Sequence, residues 1–391
     1  MRSLNTQFFL LFGSFAAVQP YIALLFKDRG LGEQQIGYAI GISGWAIILS
    51  PAVVTLIADT RVSPSRLLSG LSVATAIATV AMLMSTSYWM MAAFYFIMTL
   101  CMTSMMPLLD GVTFGIQRVQ RERGETPLEY SRVRVWGTCG YVGILALLFF
   151  PIRMTGDVSL LIWAGVLCYC ILMVNTWFLP QRGKRELAKR SKGLPTGEAV
   201  KALFGRRSAL FSISMFLLLC ASAAYHTMYP VFLVDDLGLA RHWLGIVILS
   251  GALIEVFCIL ALSNLERRWG LRSVMLGCVA LTVLRFGLMY AFPVLWVAIG
   301  AQLFHGAMIC AMMVIPPNFV NGLASDSNRN SIQGVYTMMV IGSSRFLGTA
   351  LAGHVAGVDQ RLIYALCGGL AVLAFALLWK GFRPEEDEVA I

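Results

Sequence analysis

The chain has 391 residues, 58% of them hydrophobic and only 13% charged, with a mean hydropathy of +0.75 and a formal net charge of +10. That is more apolar surface than a soluble core of this size hides, which excludes a water-soluble enzyme or binding domain and makes the chain an integral membrane protein. The positive charge does not imply nucleic acid, because the basic residues fall in alternate loops rather than in one patch.

Twelve apolar runs follow one another, at 5–26, 34–57, 67–85, 89–111, 132–150 and 158–178, then 208–228, 242–263, 273–291, 293–318, 332–354 and 360–380. Each is long enough to cross about 30 Å of hydrocarbon as a helix. None shows the ten-residue polar and apolar alternation of a barrel strand, so the fold class is all-α. The first run is read as a retained helix rather than a cleaved signal: Pro20 and Tyr21 sit near its end, and no small-x-small site precedes Lys27.

Loop charge sets the orientation. One set of loops holds Arg2, Arg61, Arg66, Arg118, Arg121, Arg123, the basic residues between Arg182 and Arg207, Arg267, Arg268, Arg272, Arg329, Lys380 and Arg383. The other holds only Lys27, Arg29, Arg153, Arg241 and Arg361. The positive-inside rule therefore places both termini and the long middle loop in the cytoplasm. The nine cysteines all fall in predicted helices with no C-x-x-C pair and read as small packing residues. No metal or cofactor site is expected.

The one long polar stretch, Leu179 to Ser208, divides the helices six and six. The predicted organisation is an N-terminal six-helix bundle at 1–178, a basic cytoplasmic linker at 179–207, and a C-terminal six-helix bundle with a short cytoplasmic tail at 208–391. The halves look like repeats. YIALLFKDRGLGEQQIG from Tyr21 and YPVFLVDDLGLARHWLG from Tyr229 share Tyr, Leu, Asp, Gly, Leu and Gly at one constant offset, at which Asp59 also meets Arg267 and Asp110 meets Asn318. Two six-helix halves in parallel repeat form a transporter architecture with a solute site at the midplane.

Ionisable residues at membrane depth carry the functional reading, since each costs roughly 2.5 to 3.5 kcal/mol to insert and must face water or an opposite charge. Asp110 and Glu255 are the acids placed within helices away from the loops. A carboxyl that exchanges partners between two conformations can bind and release a proton. Glu255, in LSGALIEVFCILALSN, fits that role or a permanent pairing with an Arg; Asp110, in SMMPLLDGV, fits a structural pairing slightly better. The stretch EYSRVRVWGTCGY puts Arg132 and Arg134 at the mouth of an apolar helix. Residues two apart point about 200° from each other, so the two cannot share a face. Arg132 is placed to snorkel, whereas Arg134 shares a small, polar face with Gly137, Thr138 and Tyr141. Gly137, Gly140 and Gly143 permit a close helix contact. Arg285, His305 and Arg345 stand singly in apolar helices, where packing and functional roles both remain open. Counted together, these Arg and His residues leave a positive interior that favours a solute carrying a carboxylate or other anionic group.

At these residues the sequence resembles the major facilitator superfamily, in particular the proton symporters that include lactose permease and the phenylpropionate permeases. YSRVRVWGTCGY resembles that branch's fifth-helix signature, whose second Arg binds solute and matches Arg134. Arg285 and His305 match its ninth-helix Arg and tenth-helix His, which take part in proton coupling. LIEVFCIL, AQLFHGAM and PLLD resemble phenylpropionate permease helices and carry Glu255, His305 and Asp110. The superfamily loop motif survives in part as TLIADTRVSPSR, whose Asp59 and Arg61 would serve as a conformational gate, and as LERRWGLR around Gly270. One departure stands out. Lactose permease has a carboxylate three residues after the His, where this chain has Met308, which puts more of the coupling on Glu255 and a sugar substrate in doubt.

The resemblance implies a twelve-helix secondary active transporter of the inner or plasma membrane: a proton-coupled symporter importing a small organic solute, such as an aromatic or other carboxylate, a sugar or a nucleoside, by alternating access. Protons, the solute and the lipid bilayer are its expected partners, and a monomer its expected state. Expected coupling residues are Glu255, His305, Arg285 and Asp110; expected solute contacts are Arg134, Tyr141, Arg285, His305 and Glu255. An exporter or antiporter of the same fold would share almost every feature. A non-transporting sensor would tolerate loss of Glu255 and Arg134 without loss of function. An enzyme is not expected, because no H-E-x-x-H, G-x-S-x-G or G-x-x-x-x-G-K-[ST] is present.

Overall fold

The computed structural model describes residues 2–58, 63–179, 197–205, 208–322 and 329–382; at 51–58, 321, 329 and 330 the description covers the backbone alone. The chain is helical along these segments. The first six helices are α1 (Arg2–Asp28), α2 (Glu33–Ala58), α3 (Pro64–Met84), α4 (Tyr88–Glu122), α5 (Tyr130–Thr155) and α6 (Ser159–Thr176). After the short helix Gly197–Phe204 come α7 (Ala209–Asp236), α8 (241–269), α9 (271–291), α10 (295–322), α11 (329–356) and α12 (Leu362–Gly381). The helix Arg241–Ala291 runs for 51 residues, but Gly270 adopts φ 76° and ψ 150° inside it and so separates α8 from α9. The twelve apolar runs each become one of these helices.

Contacts divide the chain into residues 1–31 with 45–192 and residues 32–44 with 193–391. Within unit 1, α1 packs on α5 and α6, while α3 packs on α4 and α6. Within unit 2, α7 packs on α11 and α12, and the α8–α9 pair packs on α10 and α12. The same pairings recur six helices later. Backbone geometry repeats as well: Gly30 and Gly238, matched in the two sequence segments, have φ of 81° and 68°. Only glycine enters that left-handed region without steric cost, so the helix break after Asp28 and after Asp236 is written into both halves.

A second matched pair brings the helices together. A Cβ on Gly140 of α5 would lie 2.0 Å from the Phe9 carbonyl oxygen of α1, and one on Gly348 of α11 would lie 2.3 Å from the Cys220 carbonyl oxygen of α7. Gly140 and Gly348 are separated by the same offset as Tyr21 and Tyr229. Gly137 also sits tight, with a Cβ 2.7 Å from the Phe12 ring, whereas one on Gly143 would make ordinary contact at 3.7 Å. In unit 2, the first turns of α2 pack on α11 in the same manner: a Cβ on Gly44 would lie 2.4 Å from the Gly342 carbonyl oxygen, and one on Gly37 would lie 2.6 Å from that of Thr349.

Outside these seams much of the exposed surface is apolar. All nine tryptophans are exposed, from 43% at Trp136 to 80% at Trp296, as rings that face lipid and its interface do. Gly140→Ala should lower thermal stability in detergent by about 1–3 kcal/mol, because a backbone carbonyl cannot move aside. Gly143→Ala should leave the melting temperature within error, and equal losses in both variants would contradict this packing.

Candidate functional site

Unit 2 holds a polar cluster built from four helices. Arg285 on α9 is fully buried, and both terminal nitrogens of its guanidinium find partners. Nη1 donates to His305 Nδ1 at 3.1 Å and to the Met308 thioether at 3.8 Å; Nη2 donates to the Tyr225 hydroxyl and to Gln302 Oε1 at 3.0 Å. The Tyr225 ring also lies under the guanidinium, 4.4 Å from its central carbon. These partners are all neutral, and among the described residues the buried Nε has none. Gln302 Nε2 donates to Tyr229 at 2.9 Å, and Tyr229 donates to the Ala298 carbonyl at 3.0 Å, which closes the network onto the α10 backbone.

Local winding explains why these groups converge. Residues 301–304 of α10 form a 3₁₀ turn, in which side chains three apart eclipse, so Gln302 and His305 stack on one line. On α7, Tyr225 and Tyr229 are one turn apart on a single face. On α8, Gly251, Glu255 and Cys258 line the face turned to α10. A Cβ on Gly251 would lie 2.6 Å from Gln302 Oε1, and one on Gly306 would lie 2.4 Å from Cys258 Sγ, so the two glycines bracket the point where Glu255 meets His305.

That meeting has a defined proton arrangement. Arg285 can only donate, so His305 Nδ1 accepts and the imidazole proton resides on Nε2. Nε2 lies 3.8 Å from Glu255 Oε2, an ion-pair separation longer than a hydrogen bond, with the side chains 14% and 32% exposed. Glu255 is thus the open end of a chain that runs inward through His305 to a sealed cation.

In unit 1, Arg134 is half-buried with its guanidinium 3.9 Å from the Phe12 ring centroid, and among the described residues it makes no hydrogen bond or ion pair. Tyr141 is half-buried two turns along the same helix, past exposed Thr138. Arg132 points away and pairs with Glu129 at 2.6 Å, 76% exposed. Asp110 accepts a 2.8 Å hydrogen bond from Tyr130 at the start of α5, and Tyr130 stacks on Phe114. Asp110 lies in unit 1, whereas Glu255, His305 and Arg285 lie together in unit 2. Arg345 donates to Ser43 of α2 at 2.6 Å. Asp59 and Arg61 lie outside the described residues. Sequence reasoning missed Tyr225, Tyr229 and Gln302; the available signal was YHTMY, two tyrosines one turn apart in an apolar helix, and a Gln three residues before His305.

Residues 1–365 match the MFS_1 like family. The chain belongs to that family. It is a secondary transporter of the major facilitator type, a multi-pass membrane protein and not an enzyme. Over 368 residues it is 26% identical to the "Probable 3-phenylpropionic acid transporter" of Escherichia coli (strain K12), covering 90% of each chain. It is 22% identical to the nucleoside permease NupG of the same organism, covering 95% of this chain and 92% of the permease. A crystal structure of a mutant of the nucleoside transporter NupG superposes with a TM-score of 0.85 at 18% identity, covering 98% of this chain and 99% of that one, and establishes likeness of fold.

Arg285→Lys tests the cluster. An ammonium is a point charge that cannot reach His305, Tyr225 and Gln302 together. The purified variant should lose about 1–3 kcal/mol of thermal stability; an unchanged melting curve would contradict the network.

Proposed function

We propose that the protein imports a small organic solute together with protons by alternating access, with Glu255 as the proton carrier. The observation that supports this reading is the half-exposed Glu255 carboxylate set against a neutral imidazole whose far nitrogen is tied to a sealed guanidinium. Glu255 has one partner it can leave, which is what a carboxyl that exchanges partners between two states needs. His305 and Arg285 then act as positioning residues that fix the imidazole tautomer. Asp110, held by Tyr130, would contribute to coupling from its own unit. Both termini and the 179–207 linker would be cytoplasmic, with residues 1–178 and 208–391 as the two bundles that exchange access, and the protein would act as a monomer in the inner membrane.

Solute contact in unit 1 falls to Arg134 and Tyr141. Of the Arg that the sequence places within its apolar runs, Arg285 is enclosed, Arg345 bonds Ser43 and Arg132 pairs with Glu129, so Arg134 is the guanidinium left to meet an anionic or polar solute group. The positive interior expected from counting side chains narrows to this one group. An inward proton brings roughly 2.3 kcal/mol per 100 mV and about 1.4 kcal/mol per pH unit. A neutral solute moving with one proton gains both contributions, and a monoanion loses the first.

In proteoliposomes loaded with a pH dye, with uridine and 3-phenylpropionate as probes, Glu255→Gln should abolish solute-driven proton uptake while solute counterflow continues. A wild-type pH trace in that variant would remove Glu255 as carrier. Arg134→Ala should weaken binding of the transported probe by roughly tenfold or more with little change in melting temperature, and wild-type affinity would end its role as a contact.

A further inference from the structure

We propose that His226 is a solute-binding residue whose Nε2 accepts a hydrogen bond from an O–H or N–H group of the solute. Every residue of α7 from Leu218 to Leu233 is buried except His226, which is exposed. A lone polar ring is therefore the single opening in sixteen residues of an otherwise enclosed helix. Its ring centroid lies 5.8 Å from that of His305, the residue against which Glu255 is set. A polar group at this depth that faced acyl chains would carry the insertion cost of its hydrogen-bonding atoms with nothing in return, so this edge of unit 2 opens to water and solute.

The tautomer follows from the partners. His226 Nδ1 lies 2.8 Å from the Ser222 backbone carbonyl, with the Ser222 hydroxyl at 3.2 Å. A carbonyl can only accept, so Nδ1 carries the proton and Nε2 keeps its lone pair. His305 has the opposite arrangement, because its Nδ1 accepts from Arg285. Two adjacent imidazoles are thus locked in opposite tautomers by fixed neighbours. The open edge presents two acceptors, His226 Nε2 and the Glu255 carboxylate; of the cations near His226, Arg285 is enclosed and Arg345 is bonded to Ser43. That edge selects for hydroxyl or N–H donors, as in a ribose diol, a sugar or a base imide, rather than for a carboxylate. The inference rests on the transport reading above and assigns the donor-bearing part of the solute to unit 2.

Diethyl pyrocarbonate attacks an imidazole nitrogen that keeps its lone pair, so labelling of the full-length protein in proteoliposomes reads the ring directly. His226 should label at least ten times faster than His305. Uridine or glucose, tested at saturation beside its fully methylated analogue, should slow labelling of His226 about tenfold while the methylated analogue does not. His226→Asn keeps a donor for the Ser222 carbonyl but lacks the Nε2 acceptor, and should lower affinity for the protecting solute about tenfold; His226→Gln, with an amide oxygen near the Nε2 position, should recover most of it. Labelling of His226 no faster than His305, protection by neither solute, or equal protection by the methylated analogue would each overturn the assignment. The proton-uptake trace of Glu255→Gln fails or succeeds independently of ring protection, so failure of the His226 assignment is distinguishable from failure of the transport reading.

Discussion

A guanidinium sealed inside a membrane protein needs partners for its charge and most of its donors, and that constraint shapes unit 2. Arg285 cannot shed its proton, and desolvating it without partners would cost several kcal/mol. Tyr225, Gln302, His305 and Met308 are the groups that meet it, and their positions dictate those of their neighbours. Gln302 and His305 must share a line on α10, which the 3₁₀ turn at 301–304 supplies. Helix α10 must lie close enough to α8 for Glu255 to reach His305, which Gly251 and Gly306 allow. With Met308 against the guanidinium, the cluster has a cation and, among the described residues, no direct anion; the nearest carboxylate, Glu255, sits one imidazole away. A neutral imidazole thus stands between the two groups.

Close helix contact is the second constraint, and it repeats. Lipid tails are as apolar as leucine, so helices in a bilayer gain little by burying apolar side chains against each other and associate instead through tight van der Waals contact and hydrogen bonds. Gly140 against Phe9 and Gly348 against Cys220 perform this function at corresponding places in the two units. Gly30 and Gly238 reverse the chain at corresponding places too. The internal symmetry thus persists where backbone geometry demands a glycine, even though most side chains between these points have diverged. Chemistry is where the units differ: unit 2 carries the buried Arg, Tyr, Gln and His cluster, while unit 1 offers Arg134 beside Phe12 and Tyr141.

Much of this was readable in the chain before folding. Hydropathy and run length fixed an all-helical membrane protein with its boundaries close to those observed, because a bilayer leaves no other way to satisfy a backbone over twenty apolar residues. Scarcity singled out Glu255, Arg285, His305 and Arg134, since a charge at membrane depth is too expensive to keep without a purpose. The helical angle alone separated Arg132 from Arg134, and the structure places them accordingly, one ion-paired at the surface and one half-buried over an aromatic ring.

The sequence by itself determined which residues needed partners, but which partner each obtained was decided by tertiary structure. Linear spacing reports a residue's face on its own helix and nothing about the helix opposite, so Arg285 could not be paired with Tyr225 or Gln302 in advance, nor Arg345 with Ser43. Nor could counting Arg and His show that Arg285, Arg345 and Arg132 are each committed to neighbours. Even the proton positions on His226 and His305 depend on neighbours, a carbonyl one turn back for one and an arginine from another helix for the other. Charge and hydrophobicity are properties of residues and survive in a string of letters; hydrogen bonds join pairs of atoms, and only folding chooses the pairs.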